Sequence, residues 1–126
     1  MKVDVIGGSG FIGTRLCHRF QKASDIAFSI LDKSPSRAYS QHVTIADVRS
    51  VDVLRRYVSD GVVIVNLAAE HSDDVRPLNL YDDVNVGGAK NICTVASEKN
   101  VKTIVFTSTV AVYGFTPVGT DESGKI

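Results

Sequence analysis

Val3-Asp4-Val5-Ile6-Gly7-Gly8-Ser9-Gly10-Phe11-Ile12-Gly13 is an apolar strand that runs into glycines at positions 7, 10 and 13 and then into a helix. Each glycine answers a steric demand. Gly7 lets the chain reverse, Gly10 lets backbone amides approach a pyrophosphate, and Gly13 lets helix and strand pack closely. The helix that follows presents unpaired N–H groups and a partial positive charge to an anion. Ala27-Phe28-Ser29-Ile30-Leu31-Asp32 reads as a second strand ending in an acid. That acid lies about 20 residues beyond the glycines, where a carboxylate can accept bonds from an adenosine ribose. Strand, turn, helix, strand and acid in this order predict a dinucleotide site rather than an ordinary glycine-rich turn.

The bulk numbers agree with a single soluble globular domain. The chain has 126 residues, is 44% hydrophobic and 22% charged, and carries 14 basic and 14 acidic side chains. A balanced charge gives no field that would favour nucleic acid or an anionic membrane, so neither is expected as a partner. Cys17 and Cys93 stand far apart without a CxxC, and the three histidines are scattered. No metal site is expected, and both cysteines read as reduced, packed thiols. A first strand that starts at Lys2, and no apolar run near the ~20 residues a bilayer requires, place the expectation in the cytoplasm.

Farther along, Phe11, Ile12, Leu16 and Phe20 suggest the helix face that lies on the sheet, with Arg15, Arg19 and Lys22 outward and an end near Ala23. Residues 33–41 read as a loop, Val43-Thr44-Ile45 as a short strand, and Ser50 as the cap of a helix carrying Val51, Leu54 and Val58, stopped by Asp60-Gly61. The unbroken run from Val62 to Leu67 has the character of a strand buried on both faces of a parallel sheet. Val84, Ala89, Ile92 and Ala96 predict a helix from about Leu80 to Asn100, and a fifth strand follows from Lys102 to Phe106. Alternating strands and helices imply a Rossmann-type, doubly wound parallel sheet of order 3-2-1-4-5. Residues 1–114 form the expected dinucleotide-binding domain and 115–126 a polar tail.

Taken with Asp32, Asp47-Val48-Arg49, Asn66-Leu67-Ala68-Ala69-Glu70, Val84-Asn85 and the run from Thr107 to Gly114, the glycine turn resembles the N-terminal part of extended short-chain dehydrogenases/reductases, the nucleotide-sugar epimerase and dehydratase group. The resemblance implies a cofactor site made by Gly7, Gly10, Phe11, Ile12, Gly13, Asp32, Asp47, Val48, Leu67, Ala68, Ala69, Asn85 and Thr107. Asp32 would hold the adenosine ribose and, by repelling a 2′-phosphate, favour NAD over NADP. Lys33 and Arg37 pull the other way if either reaches that phosphate, and are solvated loop charges if not. Asp47 and Val48 would flank the adenine, the alternative for Asp47 being an acid near a helix start. Leu67, Ala68 and Ala69 would wall the cofactor, and Asn85 would brace the site from the long helix or serve only as a polar helix residue.

Aligning Val112-Tyr113-Gly114 with the family's closing Val-Tyr-Gly puts Thr109 at the catalytic Ser/Thr; otherwise it caps its own turn. Tyr113 is not the family's catalytic tyrosine, which belongs to a later Tyr-x-x-x-Lys. The chain holds no such motif and stops at Ile126, ahead of the helix expected to carry it, the last strands and a substrate domain. By itself it is expected to be without turnover. Dehydratases of the family follow the catalytic threonine with Asp-Glu, whereas Val110 and Ala111 stand here, favouring an epimerase. The rival readings are a non-catalytic NAD(P)-sensing module and a ketone reductase of the same superfamily. The resemblance also implies a homodimer through the 80–100 helix, with Val84-to-Ala96 side chains in the interface.

Overall fold

The computed structural model describes residues 1–126. Five parallel strands, β1 (Lys2–Ile6), β2 (Ala27–Asp32), β3 (Val43–Ile45), β4 (Val63–Asn66) and β5 (Thr103–Phe106), lie in the order β3-β2-β1-β4-β5. This is the predicted doubly wound order. The helices are α1 (Phe11–Lys22), α2 (Val51–Tyr57) and α3 (Gly88–Glu98), the last preceded by a π-turn over Asp82–Gly87. Register pairs Val5 with Ile30 on one side and Val65 on the other, and Ile6 with Leu31 and Asn66. Side chains alternate along each strand. Val3, Val5, Ile30 and Val65 therefore bury toward Cys17 of α1, while Ile6, Leu31 and Ile64 bury toward Leu54 of α2 and Ile92 and Val95 of α3. The buried Asp4 is paired on both oxygens: Ser29 Oγ donates to one at 2.5 Å and the Ser59 amide to the other at 2.8 Å.

Several local expectations change. Phe11 and Ile12 do not face the sheet; they are 75% and 60% exposed. The buried positions of α1 are Gly13 and Cys17, with Leu16 and Phe20 beside them. The glycine contact sets the phase of the helix, and at 3.6 residues per turn Phe11 stands about 200° from Gly13. Its ring instead carries the Arg15 guanidinium, 4.7 Å from the centroid.

Ser50 occupies the cap position of α2, yet its hydroxyl makes no capping bond. The helix ends at Tyr57, before Asp60-Gly61, because Val58 turns to extended backbone and inserts into the core.

The long helix bears out its predicted span with a different facing set. Val84, Gly88, Ile92, Val95 and Ala96 are buried and Ala89 only partly. Val84, Ile92 and Ala96 are thus spent on the intramolecular core, which removes them as the dimer surface expected from the sequence. At the C-terminal end Asn100 takes φ 51°, and the Val101 amide donates to the Ala96 carbonyl at 2.9 Å. A left-handed residue with a six-to-one bond is the Schellman stop, which tolerates asparagine. All four residues of β5 are exposed. Cys17 is buried and Cys93 exposed, so only one thiol is packed. No helix is long and apolar enough to cross a membrane, and no cluster of metal-ligating side chains occurs.

Candidate dinucleotide site

The glycine turn sits at the carboxyl ends of β1, β2 and β4, outside which ligands of open α/β sheets bind. The Gly7 amide donates to the Leu31 carbonyl at 2.8 Å, and the Leu67 amide donates to the Ile6 carbonyl at 2.8 Å. Gly7 has φ +77°, and a Cβ there would stand 2.5 Å from the Ala68 nitrogen. A Cβ on Gly13 would stand 2.4 Å from the Gly8 carbonyl oxygen. Gly10 is different: its nearest neighbour is the Gly7 carbonyl at 3.8 Å, so open space lies over it. Gly10 is also the N-cap of α1, which has no side-chain cap and no acid in its first turn. Leading amides of a twelve-residue helix are left for an external anion, and the partial positive charge of the helix end favours one.

Both oxygens of Asp32 are engaged. Ser9 donates its amide to Oδ2 at 2.9 Å and Ser34 its amide to Oδ1 at 2.8 Å, while Ser9 Oγ donates to the Ser34 carbonyl at 2.9 Å. One acceptor site remains on each carboxylate oxygen for a hydroxyl. The carboxylate thus ties the glycine turn to the loop after β2.

Asp47 is chelated by Arg49, whose Nη2 and Nε donate to its Oδ2 at 2.6 Å and 3.1 Å and whose amide donates to Oδ1 at 2.9 Å. Hydrogen bonding from the Arg49 side chain holds its carboxyl below the ordinary range. Val48 is fixed by α3: Asn91 Nδ2 donates to its carbonyl at 2.9 Å, and a Cβ on Gly88 would stand 2.7 Å from Val48 Cγ2. Beyond β4, Asn66 Oδ1 accepts from the Ala68 amide at 3.1 Å, shaping the run Leu67-Ala68-Ala69-Glu70.

These pieces enclose a cavity of about 290 Å³. Gly7 and Gly10 line it with Asp32, Asp47, Val48, Leu67, Ala68 and Ala69. Eight of the thirteen predicted cofactor contacts therefore converge. Gly13 acts behind the turn through its packing on Gly8, and Phe11 lies along a neighbouring groove with Arg15 and Arg37. Asn85 does not line the cavity: its Oδ1 accepts from the Glu70 amide at 2.8 Å and its Nδ2 donates to the Glu70 carbonyl at 2.9 Å. It holds the backbone of the run after β4 instead of touching the cavity itself.

Thr107 Oγ1 donates to the Asn66 carbonyl at 3.3 Å, joining β5 to β4 at the same end of the sheet. Thr109 caps the short 3₁₀ turn Val110–Tyr113, its Oγ1 accepting from the Ala111 amide at 3.2 Å. Both lie apart from the cavity lining. Ser9, Ser34, Glu70 and His71 line it without having been assigned a role there, beside Lys33, one of the two cations set against a 2′-phosphate. Ser9 and Glu70 were inside the decisive motifs, but only folding shows that one tethers Asp32 and the other meets Lys33, with Nζ 2.5 Å from Oε1.

The model of the NAD dependent epimerase/dehydratase family matches residues 3–125. An N-acetyl-alpha-D-glucosaminyl-diphospho-ditrans,octacis-undecaprenol 4-epimerase from Escherichia coli is 43% identical over 121 residues, 96% of this chain and 36% of its own length. A UDP-glucose 4-epimerase from Vibrio cholerae is 26% identical over 113 residues, 86% of this chain and 34% of its own. Among solved structures, the Thermus thermophilus UDP-glucose 4-epimerase complex with NAD superposes with TM-score 0.83 at 25% identity, covering 98% of this chain and 43% of that one. A dTDP-glucose 4,6-dehydratase double mutant from Streptomyces venezuelae with NAD and DAU bound gives 0.83 at 26%, covering 99% and 45%. The chain spans about a third of the length of these two curated relatives.

Proposed function

Because the chain belongs to the NAD-dependent epimerase/dehydratase family, we propose that it is the NAD-binding part of an epimerase acting on a sugar carried by a diphosphate, as in a nucleotide sugar. The observation that carries the reading is the pairing of an uncapped helix end at Gly10 with the tethered carboxylate of Asp32 across one cavity. Phosphates fit the first and a ribose diol the second. Bound NAD supplies a hydride acceptor that no side chain of the protein offers.

The chain's own residues bind and orient. The α1 amides and Gly10 take the pyrophosphate, Asp32 accepts from the ribose, and Asp47 and Val48 flank the adenine. Thr109 holds the reacting sugar oxygen. Its Oγ1 already accepts from Ala111, so the hydroxyl proton is left to donate outward. Epimerisation is favoured over dehydration because Val110 and Ala111, following Thr109, can neither give nor take a proton. The 126 residues hold no Tyr-x-x-x-Lys, and proton removal from the sugar falls to residues outside them. The two curated 4-epimerases described above support this reading, with a polyprenyl-diphosphate sugar and UDP-glucose in their names.

The test is turnover in a form of the protein that spans its relatives' full length, with a UDP-hexose or a polyprenyl-diphosphate N-acetylhexosamine as substrate. C4 inversion is expected, and Thr109→Val lowers kcat by about 10² or more, as when a positioned donor to a reacting oxygen is lost. Loss of water from the sugar without inversion, or full activity in Thr109→Val, contradicts the proposal.

A further inference from the structure

The cavity is acidic. Asp32, Asp47 and Glu70 line it against a single ammonium, that of Lys33, together with His71. Lys33 immediately follows the ribose carboxylate, where a free cation would meet an added phosphate on that ribose. It is not free. Its Nζ lies 2.5 Å from Glu70 Oε1, joining the loop after β2 to the run after β4.

The two partners differ in freedom. The Lys33 side chain is 60% exposed and can move, whereas that of Glu70 is 17% exposed. Both backbone polar groups of Glu70 are locked by Asn85 from the π-turn. A part-buried carboxylate on a fixed backbone holds a flexible ammonium, and the direction of control runs from Glu70 to Lys33.

We propose that Glu70 is a determinant of cofactor choice: by holding Lys33 it withdraws the cation that would otherwise neutralise a 2′-phosphate, so that NAD is selected over NADP. The inference rests on the dinucleotide reading above and adds a second discriminating residue to Asp32. Asp32 repels the phosphate directly, and Glu70 acts by removing its counter-charge. Glutamine in place of Glu70 keeps the shape and the backbone bonds to Asn85 while releasing the ammonium.

Calorimetric titration of the chain with NADH and with NADPH tests it. Glu70→Gln should tighten NADPH by about threefold to tenfold while leaving NADH within about twofold, in the range of one exposed ion pair redirected to a new anion. The gain should vanish in Glu70→Gln/Lys33→Met. Lys33→Met alone should leave the NADPH to NADH ratio unchanged, because the ammonium is already committed. An unchanged ratio in Glu70→Gln overturns the inference, as does a fall in NADPH affinity in Lys33→Met alone. Should neither nucleotide bind the unsubstituted chain, the dinucleotide reading itself fails. Binding of both with an insensitive ratio fails only the assignment to Glu70.

Discussion

The Ser9 amide and the Asp32 carboxylate meet at 2.9 Å, so that the glycine turn after β1 is tied to the end of β2. The turn's shape comes from Gly7 and Gly13, where any side chain collides with backbone, and its opening from Gly10, where none would. Close packing and open space are thereby divided among three glycines of one motif.

Gly13→Ala and Gly10→Ala should separate these duties. A methyl group on Gly13 meets the Gly8 carbonyl, and the helix must shift off the strand at a cost of about 1–3 kcal/mol. On Gly10 the backbone is extended, with φ −73° and ψ −176°, and the nearest atom is at ordinary contact. That substitution should cost less than about 1 kcal/mol. Urea unfolding of the two variants measures the contrast, and equal losses would refute the division.

Asn85→Ala removes both bonds to the Glu70 backbone. Stability should fall by about 1–2 kcal/mol, since the groups freed can reach water. Amide exchange at residues 68–71 should accelerate more than exchange in β1. Uniform acceleration would mean that Asn85 supports the whole fold rather than this wall.

The Asp47–Arg49 pair makes stability depend on pH. The carboxyl is held below its ordinary range in the folded chain, so the stability it lends is present above the unfolded-state pKa of about 4 and is lost as pH falls through the lower folded value. Arg49→Met should bring the Asp47 titration, followed by carboxyl NMR, back up toward that ordinary value. An identical titration in both proteins would show that Arg49 does not hold the carboxylate in solution.

Burial pushes the Cys17 thiol up to about 11, and Cys93 lies on the exposed side of α3. At pH 8 a thiol reagent should modify one equivalent per native chain and two after denaturation. Cys93→Ser should abolish the native reaction. Two fast equivalents in the native chain would place Cys17 outside the core.

The sheet order, β2 and the span of the long helix were legible in the sequence because strand-length apolar runs and glycine spacing are local and redundant. The phase of α1 was not. Phe11 and Ile12 look like core by size, yet a glycine contact with no side chain to announce it chose the buried face. Val84, Ile92 and Ala96 were read correctly as one face, but a periodic stripe does not say whether a sheet or a partner covers it. At the site, residues on one stretch of chain were found and pairings across stretches were not. Glu70 lies 37 residues from Lys33 and 15 from Asn85, separations that only the parallel crossovers close.

Titration of the chain with NADH, read by nucleotide fluorescence, shows whether this turn receives a dinucleotide pyrophosphate. The unsubstituted chain should saturate, and Gly10→Val, folded by circular dichroism, should show no saturable change, because the side chain fills the space left open over the helix end. Equal saturation by the two proteins would mean that the turn does not take the pyrophosphate.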